Sequence, residues 1–249
     1  MARLIPLDWD SQLLGVSCAR LETDEKRVQG AESFAAATAE VFERTETEGL
    51  RPGLTFAKIL PRDFDPDLIA AAMPGHRCVT LGQELTFRRA QGSHDAVVNG
   101  VAFALATEGG TDPEPFLPLA GEMRHSRFYL DPGIGEERAR RVWQTSIEEH
   151  CRGLAQEIAV AELDGRPAGL ATVHLADDTA RLHIVGVLGW ARGRGVGARL
   201  MQAVIARHGG DRTLSVEAFA ANEAACALYE KAGFTPAIRR EIVHFWLRG

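Results

Sequence analysis

One junction constrains this sequence more than any other feature. An apolar run, Leu182-His183-Ile184-Val185-Gly186-Val187-Leu188, feeds the turn Gly189-Trp190-Ala191-Arg192-Gly193-Arg194-Gly195-Val196-Gly197, and Ala198 to Arg207 then reads as a helix. A strand, a glycine-rich turn and a helix start together build an anion site. The N–H groups of the turn converge, the helix dipole adds positive potential, and glycines permit close approach and positive φ. The unit is therefore fixed as strand–turn–helix, and the question becomes which anion it takes.

Three phosphate-binding patterns compete. A Walker loop ends in Gly-Lys-Ser/Thr, and this turn ends in Gly195-Val196-Gly197-Ala198. A dinucleotide fingerprint fits permissively as Gly193-x-Gly195-x-x-Ala198, with Glu217 about 20 residues on as a ribose acid. That fingerprint usually opens its fold, however, and this turn lies late in the chain. The third pattern, Arg/Gln-x-x-Gly-x-Gly/Ala, is met by Arg192-x-x-Gly195-x-Gly197. A second block follows the next strand. Asn222 precedes Ala225, Leu228, Tyr229 and Ala232 at helical spacing, Gly233 stands at a helix C-cap position, and Phe234 follows.

In this order the two blocks resemble the GNAT acetyltransferase superfamily. The resemblance implies an α/β (α+β) GNAT fold, a mixed central sheet flanked by helices, with a smaller N-terminal α/β GNAT-like half-domain. It implies acetyl-CoA as co-substrate. Arg192, Gly193, Arg194, Gly195, Val196 and Gly197 would hold the pyrophosphate, and Asn222 and Tyr229 would lie beside the cofactor. The strand ending at Leu188 would splay from the one ending at Phe219, with the pantetheine arm in the gap on the backbone of Val185 and Val187. A narrower resemblance is to the dTDP-fucosamine acetyltransferase family, which acetylates the amine of a nucleotide-linked amino sugar. It rests on Leu4-Ile5-Pro6-Leu7-Asp8-Trp9-Asp10 with Leu14-Gly15-Val16, on Ser126-Arg127-Phe128-Tyr129 with Asp131-Pro132, and on Trp246-Leu247-Arg248. It makes Ser126, Arg127 and Phe128 the acceptor-binding residues: an Arg for phosphate or hydroxyls and a ring for stacking. A solvated Arg beside a core Phe is the other reading.

Acetyl transfer to an amine needs a neutral amine, a polarised carbonyl and a protonated leaving thiolate. The resemblance makes Tyr229 the general acid; a core tyrosine on the helix's apolar stripe is the alternative. His183 stands four residues before Val187, where some GNAT members carry a catalytic His, and its ordinary pKa suits proton uptake near neutrality. A His packed within a central strand is equally compatible with the sequence. Glu217 either assists the amine or pairs with an Arg. Asn222 caps its helix, touches CoA, or does both.

At 249 residues the chain exceeds one minimal domain of this kind, and the expected division is 1–92 and 96–249, joined by Gln91-Gly92-Ser93-His94-Asp95. With 45% hydrophobic and 25% charged residues it reads as an ordinary soluble globular protein. A net charge of −6 disfavours nucleic acid as a partner. No run approaches the ~18 apolar residues of a membrane span. Asp8, Trp9 and Asp10 interrupt any signal pattern. Cys18, Cys78, Cys151 and Cys226 are far apart, so a cytoplasmic setting is expected and no metal site.

The expected elements are helices at 31–43, 66–73, 115–123 and 136–151, and strands at 54–60, 80–88, 98–105 and 213–219. A hairpin turns at Asp164-Gly165-Arg166, and a last hairpin pairs 236–239 with 242–248. That final strand, taken as a sheet edge needing cover, suggests a homodimer. Within the enzyme class, another small-molecule amine or a protein amino terminus is an alternative acceptor. A non-catalytic acyl-CoA sensor and a nucleotide-dependent oxidoreductase are the rival functions.

Overall fold

A computed structural model describes residues 2–47, 53–92 and 98–247. In chain order the main elements begin with β1 (Ala2–Pro6), α1 (Asp8–Leu14), β2 (Cys18–Thr23), α2 (Ala31–Thr47), β3 (Leu54–Ile59), α3 (Pro66–Ala72) and β4 (Arg77–Arg89). There follow β5 (Val101–Leu105), a 3-10 segment (Glu114–Glu122), α4 (Arg127–Leu130), α5 (Glu136–Glu149), β6 (Glu157–Leu163), β7 (Arg166–Ala176) and β8 (Thr179–Val187). The chain ends with α6 (Val196–His208), β9 (Thr213–Phe219), α7 (Glu223–Lys231) and β10 (Thr235–Trp246). Of the expected linker 91–95, residues 93–95 lie outside the described residues.

Two compact units form. The first comprises 1–84, 126–139 and 239–249; the second comprises 85–125 and 140–238. In unit one the strand order is β1-β2-β3-β10-β4. β1 pairs antiparallel with β2, β2 parallel with β3, and β3 antiparallel with β10. The helix α2 covers one face of this sheet, burying Phe34, Val41 and Phe42 against Leu21, Ala57, Ile59, Val243 and Phe245. Local chemistry sets the helix ends. Asp65 caps α3 by accepting from the N–H groups of Asp67 and Leu68, and Pro66 supplies the preset φ of a first helical residue.

Unit two carries β9-β8-β7-β6-β5 with the end of β4 beside β9. β5 through β8 are antiparallel neighbours, and β8 runs parallel to β9. Each unit is thus a mixed sheet flanked by helices, as the GNAT fold requires. On one face α6 buries Val196, Leu200, Met201 and Val204 against Ala161, Val173, Leu182 and Val216. On the other, Phe116, Leu119, Ile147 and Cys151 pack on Ile158, Leu170, Ile184 and Leu188. The hairpin expected at Asp164-Gly165 is present, with φ of 54° and 70°, the pair of positive values a two-residue type I′ turn demands.

Three expectations are corrected. The helix expected over 115–123 is a 3-10 segment, because Pro115 and Pro118 cannot donate to an α-helical ladder. The stretch 136–151 is α-helical only to Glu149; His150–Leu154 widen into a π turn that Gly153 ends at φ 119°. The last hairpin does not exist: β10 is one continuous strand. Its charged run resembles a turn but is satisfied sideways, Arg239 donating to Gln83 Oε1 (2.8 Å), Arg240 to Glu25 Oε1 (2.6 Å) and Gln83 to Glu241 Oε1 (2.6 Å). β10 lies between β3 and β4, so it is an interior strand and offers no terminal edge for a second copy to cover.

Candidate active site

The site in unit two begins where β8 stops pairing with β9. The parallel register runs Thr179↔Thr213, Ala180↔Leu214, Arg181↔Ser215 and Leu182↔Val216, and ends there, although both strands continue. A bulge coincides with the break: Val173 pairs with Leu182 and Ala171 with Val185, so His183 and Ile184 together oppose Thr172. Thr172 Oγ1 accepts from the Ile184 N–H at 2.9 Å and satisfies the donor that the bulge displaces. Beyond it, the Leu188 N–H donates to Ala168 O at 2.9 Å on the β7 side. Alternation then turns the backbone groups of Val187 and Val185 the other way, into the gap that opens toward β9.

The glycine turn closes the end of this gap. Gly193 and Gly195 have φ of 71° and 78°, and a Cβ at either would meet nothing within 4 Å. These positions are glycine for conformation, and open space stands before them. Gly197 differs: a Cβ there would lie 3.2 Å from Leu228 Cδ2, so its role is close packing of α6 against α7. Val196 is buried and starts α6, whose first N–H groups face the turn. Arg192 is 56% exposed; its Nε donates to Val187 O at 3.2 Å and its guanidinium pairs with Glu122. Arg194 pairs with Asp164 at 2.8 Å on the surface. The Arg199 guanidinium lies close to Gly100.

In the second motif, Asn222 Oδ1 accepts from the Ala225 N–H at 3.2 Å, so the capping role is realised. Gly233, at φ 83°, ends α7, and the Phe234 N–H donates to Tyr229 O at 3.0 Å. The Tyr229 ring is 4% exposed and packs edge-on to Phe87 at 5.6 Å. Burial raises its pKa, so the phenol stays a proton donor. Glu217 accepts from Arg181 at 2.9 Å, the paired reading.

His183 lies on the bulge, with an accessible face. It stacks on His150 at 4.8 Å, and His174 stands edge-on at 5.7 Å. Burial by surrounding protein, then His150, His174 and Arg181, outweigh Glu217 and push its pKa down to about 4. Sequence reading missed His150 and His174, which come from a helix end and a neighbouring strand. It also missed Glu122, whose pairing with Arg192 no local pattern announces.

Ser126, Arg127 and Phe128 belong to unit one. Ser126 precedes α4, and Phe128 is buried. Arg127 is 18% exposed, pairs with Asp10, and lies over the rings of Phe56 (4.5 Å) and Phe128 (4.0 Å). It is built into the unit on all three sides. Among the described residues no group of three His, Cys, Asp or Glu is arranged to hold a metal ion, and no helix is long and apolar enough to cross a membrane.

Residues 123–234 match the model of the Acetyltransferase (GNAT) family. Among solved structures, a GCN5-related N-acetyltransferase from Sphaerobacter thermophilus is similar at TM-score 0.57 and 15% identity, over 100% of this chain and 77% of that one. A tandem GNAT protein from the clavulanic acid biosynthesis pathway is similar at 0.53 and 19%, over 94% and 77%. A conserved protein of unknown function from Staphylococcus epidermidis is similar at 0.61 and 14%, over 96% and 89%. None of the curated proteins matches. The family model spans less than half of the chain, and the solved structures share its fold.

Proposed function

We propose that this protein is an acetyl-CoA-dependent N-acetyltransferase whose co-substrate occupies the gap between β8 and β9. The observation that carries this reading is the parting of those strands after Leu182↔Val216, directly before a turn with Gly193 and Gly195 at positive φ. The residues fit the co-substrate. The turn and the first N–H groups of α6 suit a pyrophosphate, and the inward backbone of Val185 and Val187 suits the amides of a pantetheine arm. Acetyl-CoA supplies an activated thioester. The chain's share is to orient it along β8, to polarise its carbonyl with a strand N–H, and to hold a phenolic proton on Tyr229 for the leaving sulfur.

The acceptor we favour is a primary amine, with the amine of a nucleotide-linked amino sugar suggested by the resemblance of the opening and of Ser126–Pro132 to the dTDP-fucosamine family. The built-in state of Arg127 supports a structural more than a phosphate-binding role for that residue. A cytoplasmic setting, where acetyl-CoA is supplied, accompanies this reading. Another small amine or a protein amino terminus remains within the same chemistry.

The test is thiol release from acetyl-CoA with a panel of amines that includes nucleotide-linked 4-amino sugars. Release with the amino sugars alone supports the full reading, and release with other amines moves the acceptor. Acetyl-CoA that raises the melting temperature without turnover replaces the enzyme with a sensor; protection by NADH alone would indicate an oxidoreductase.

A further inference from the structure

Unit one repeats the backbone order of the cofactor site. In unit two the antiparallel pair β7–β8 leads through a turn into α6, then into β9 parallel to β8, then into α7. In unit one the antiparallel pair β1–β2 leads through a turn into α2, then into β3 parallel to β2, then into α3. The parallel ladder again stops early: it ends at Leu21↔Ala57, although β2 runs to Thr23 and β3 to Ile59. The helix starts also correspond. Gly195 precedes α6 at φ 78°, and its carbonyl accepts from the Arg199 N–H at 3.1 Å. Gly30 precedes α2 at φ 85°, and its carbonyl accepts from the Phe34 N–H at 3.0 Å. The N-terminus of α2 is thus built like that of α6, with the same pull on an anion.

What stands there differs. The Gly30 N–H donates to Asp63 Oδ1 at 2.6 Å, and Asp63 is 4% exposed. Asp63 closes the 3-10 turn Pro61–Asp63 that follows β3, and its own N–H donates to Leu60 O at 2.9 Å. Its counterpart after β9 is Asn222, whose N–H donates to Phe219 O at 2.9 Å across the same three residues. Asn222 turns forward and caps α7 through the Ala225 N–H. In unit one that task falls to Asp65, which caps α3 through the N–H groups of Asp67 and Leu68, and Asp63 is released to turn back onto α2. Arg62 Nε stands 3.7 Å from the same carboxylate, but its side chain is 62% exposed, so the backbone bond is the buried one. In unit two Glu122 and Asp164 meet the glycine turn through the side chains of Arg192 and Arg194. We propose, resting on the acyl-CoA reading of unit two, that Asp63 is a resident anion: it takes in unit one the place a pyrophosphate takes in unit two, and so confines acetyl-CoA to one site per chain. A phosphate approaching Gly30 must displace a carboxylate that the fold holds in place, and meets its negative charge at close range. Asp63 sets specificity by exclusion, and the strand–turn–helix of unit one is left as scaffold.

Two measurements test this. Calorimetric titration of the wild type with acetyl-CoA should give one site per chain, and Gly195→Val should abolish it. Melting is then compared between the wild type and Asp63→Ala, in inorganic phosphate and in chloride of equal ionic strength. Phosphate stabilises folded chains in general, and any binding at the unit-two turn is common to both proteins, so the difference between them is the readout. Asp63→Ala should melt lower than the wild type in chloride and gain about 2–4 °C more than the wild type on moving to phosphate, the shift of one weakly filled site. Where Asp63→Ala does not fold, Asp63→Asn keeps an acceptor for the Gly30 N–H without the charge and should show the same gain at smaller amplitude. Two acetyl-CoA molecules per wild-type chain, binding retained in Gly195→Val, or equal phosphate gains with and without the carboxylate overturns the proposal. A wild type that binds no acetyl-CoA overturns the reading of unit two and the confinement with it. That failure shows in the titration, whereas failure of the Asp63 role alone shows in the phosphate comparison, which uses no acetyl-CoA.

Discussion

Arg127 in unit one and Arg192 in unit two look alike in sequence, each an arginine beside small or aromatic residues in a motif-bearing segment. Their surroundings differ. Arg127 is enclosed by two phenylalanine rings and Asp10, and nearby Asp131 is fully committed: it accepts from His244 Nδ1 at 2.7 Å, Trp246 Nε1 at 2.7 Å and the Gly133 N–H at 2.8 Å. Arg192 lies on the surface at a turn whose glycines face open space, beside a strand whose next residues have left their ladder. A polar group whose bonds are completed by its own unit holds that unit together. Arg192 is paired as well, with Glu122, but on the surface and before the open space at Gly193 and Gly195.

The contrast can be broken most sharply at Asp131. Replacing it with Ala strands the His244, Trp246 and Gly133 donors in the interior and should cost about 3–5 kcal/mol, read as a lower urea midpoint. Burial alone would raise the Asp131 pKa, yet its three hydrogen bonds hold it below the usual carboxylate value. Its contribution is therefore present above about pH 4 and fades as pH falls further, which a pH series of unfolding curves would show. Gly195→Val forces a β-branched side chain to φ 78° in the cofactor turn and should abolish acetyl-CoA protection, with a smaller stability loss of about 1–3 kcal/mol. Retained protection would remove the turn from the site. Tyr229→Phe should keep stability within about 1 kcal/mol while lowering kcat by about 100-fold; an unchanged kcat would return Tyr229 to the core. Arg127→Met should lower stability by about 1–2 kcal/mol and leave acetyl-CoA binding alone. An altered acceptor KM at unchanged stability would instead make Arg127 a substrate residue. Smallest of all, Glu122→Gln frees Arg192 and should tighten acetyl-CoA binding about two- to fivefold, the scale of one exposed ion pair, by titration calorimetry.

The sequence made much of this legible because the information was local. Gly193, Gly195, Asn222 and Gly233 are read correctly from the conformations their positions require, and the strand–turn–helix order follows from periodicity. What escaped depends on residues distant in the chain. Gly197 looked like a phosphate glycine and is needed for contact with Leu228. The bulge that sets His183 and Ile184 together opposite Thr172 has no sequence signature. The run Arg239-Arg240-Glu241 looked like a turn because its partners Gln83 and Glu25 lie far upstream. His150, at the start of the π turn, meets His183 from far away in the chain.

The pairing of Arg192 with Glu122 reaches beyond geometry. An anion arriving at the turn does not meet an idle cation; it competes with a carboxylate already in place. Raising the ionic strength weakens both the resident pair and the incoming one. The affinity for a phosphate-bearing ligand should therefore fall less steeply with added salt than the arginines around the turn, counted as independent charges, would imply.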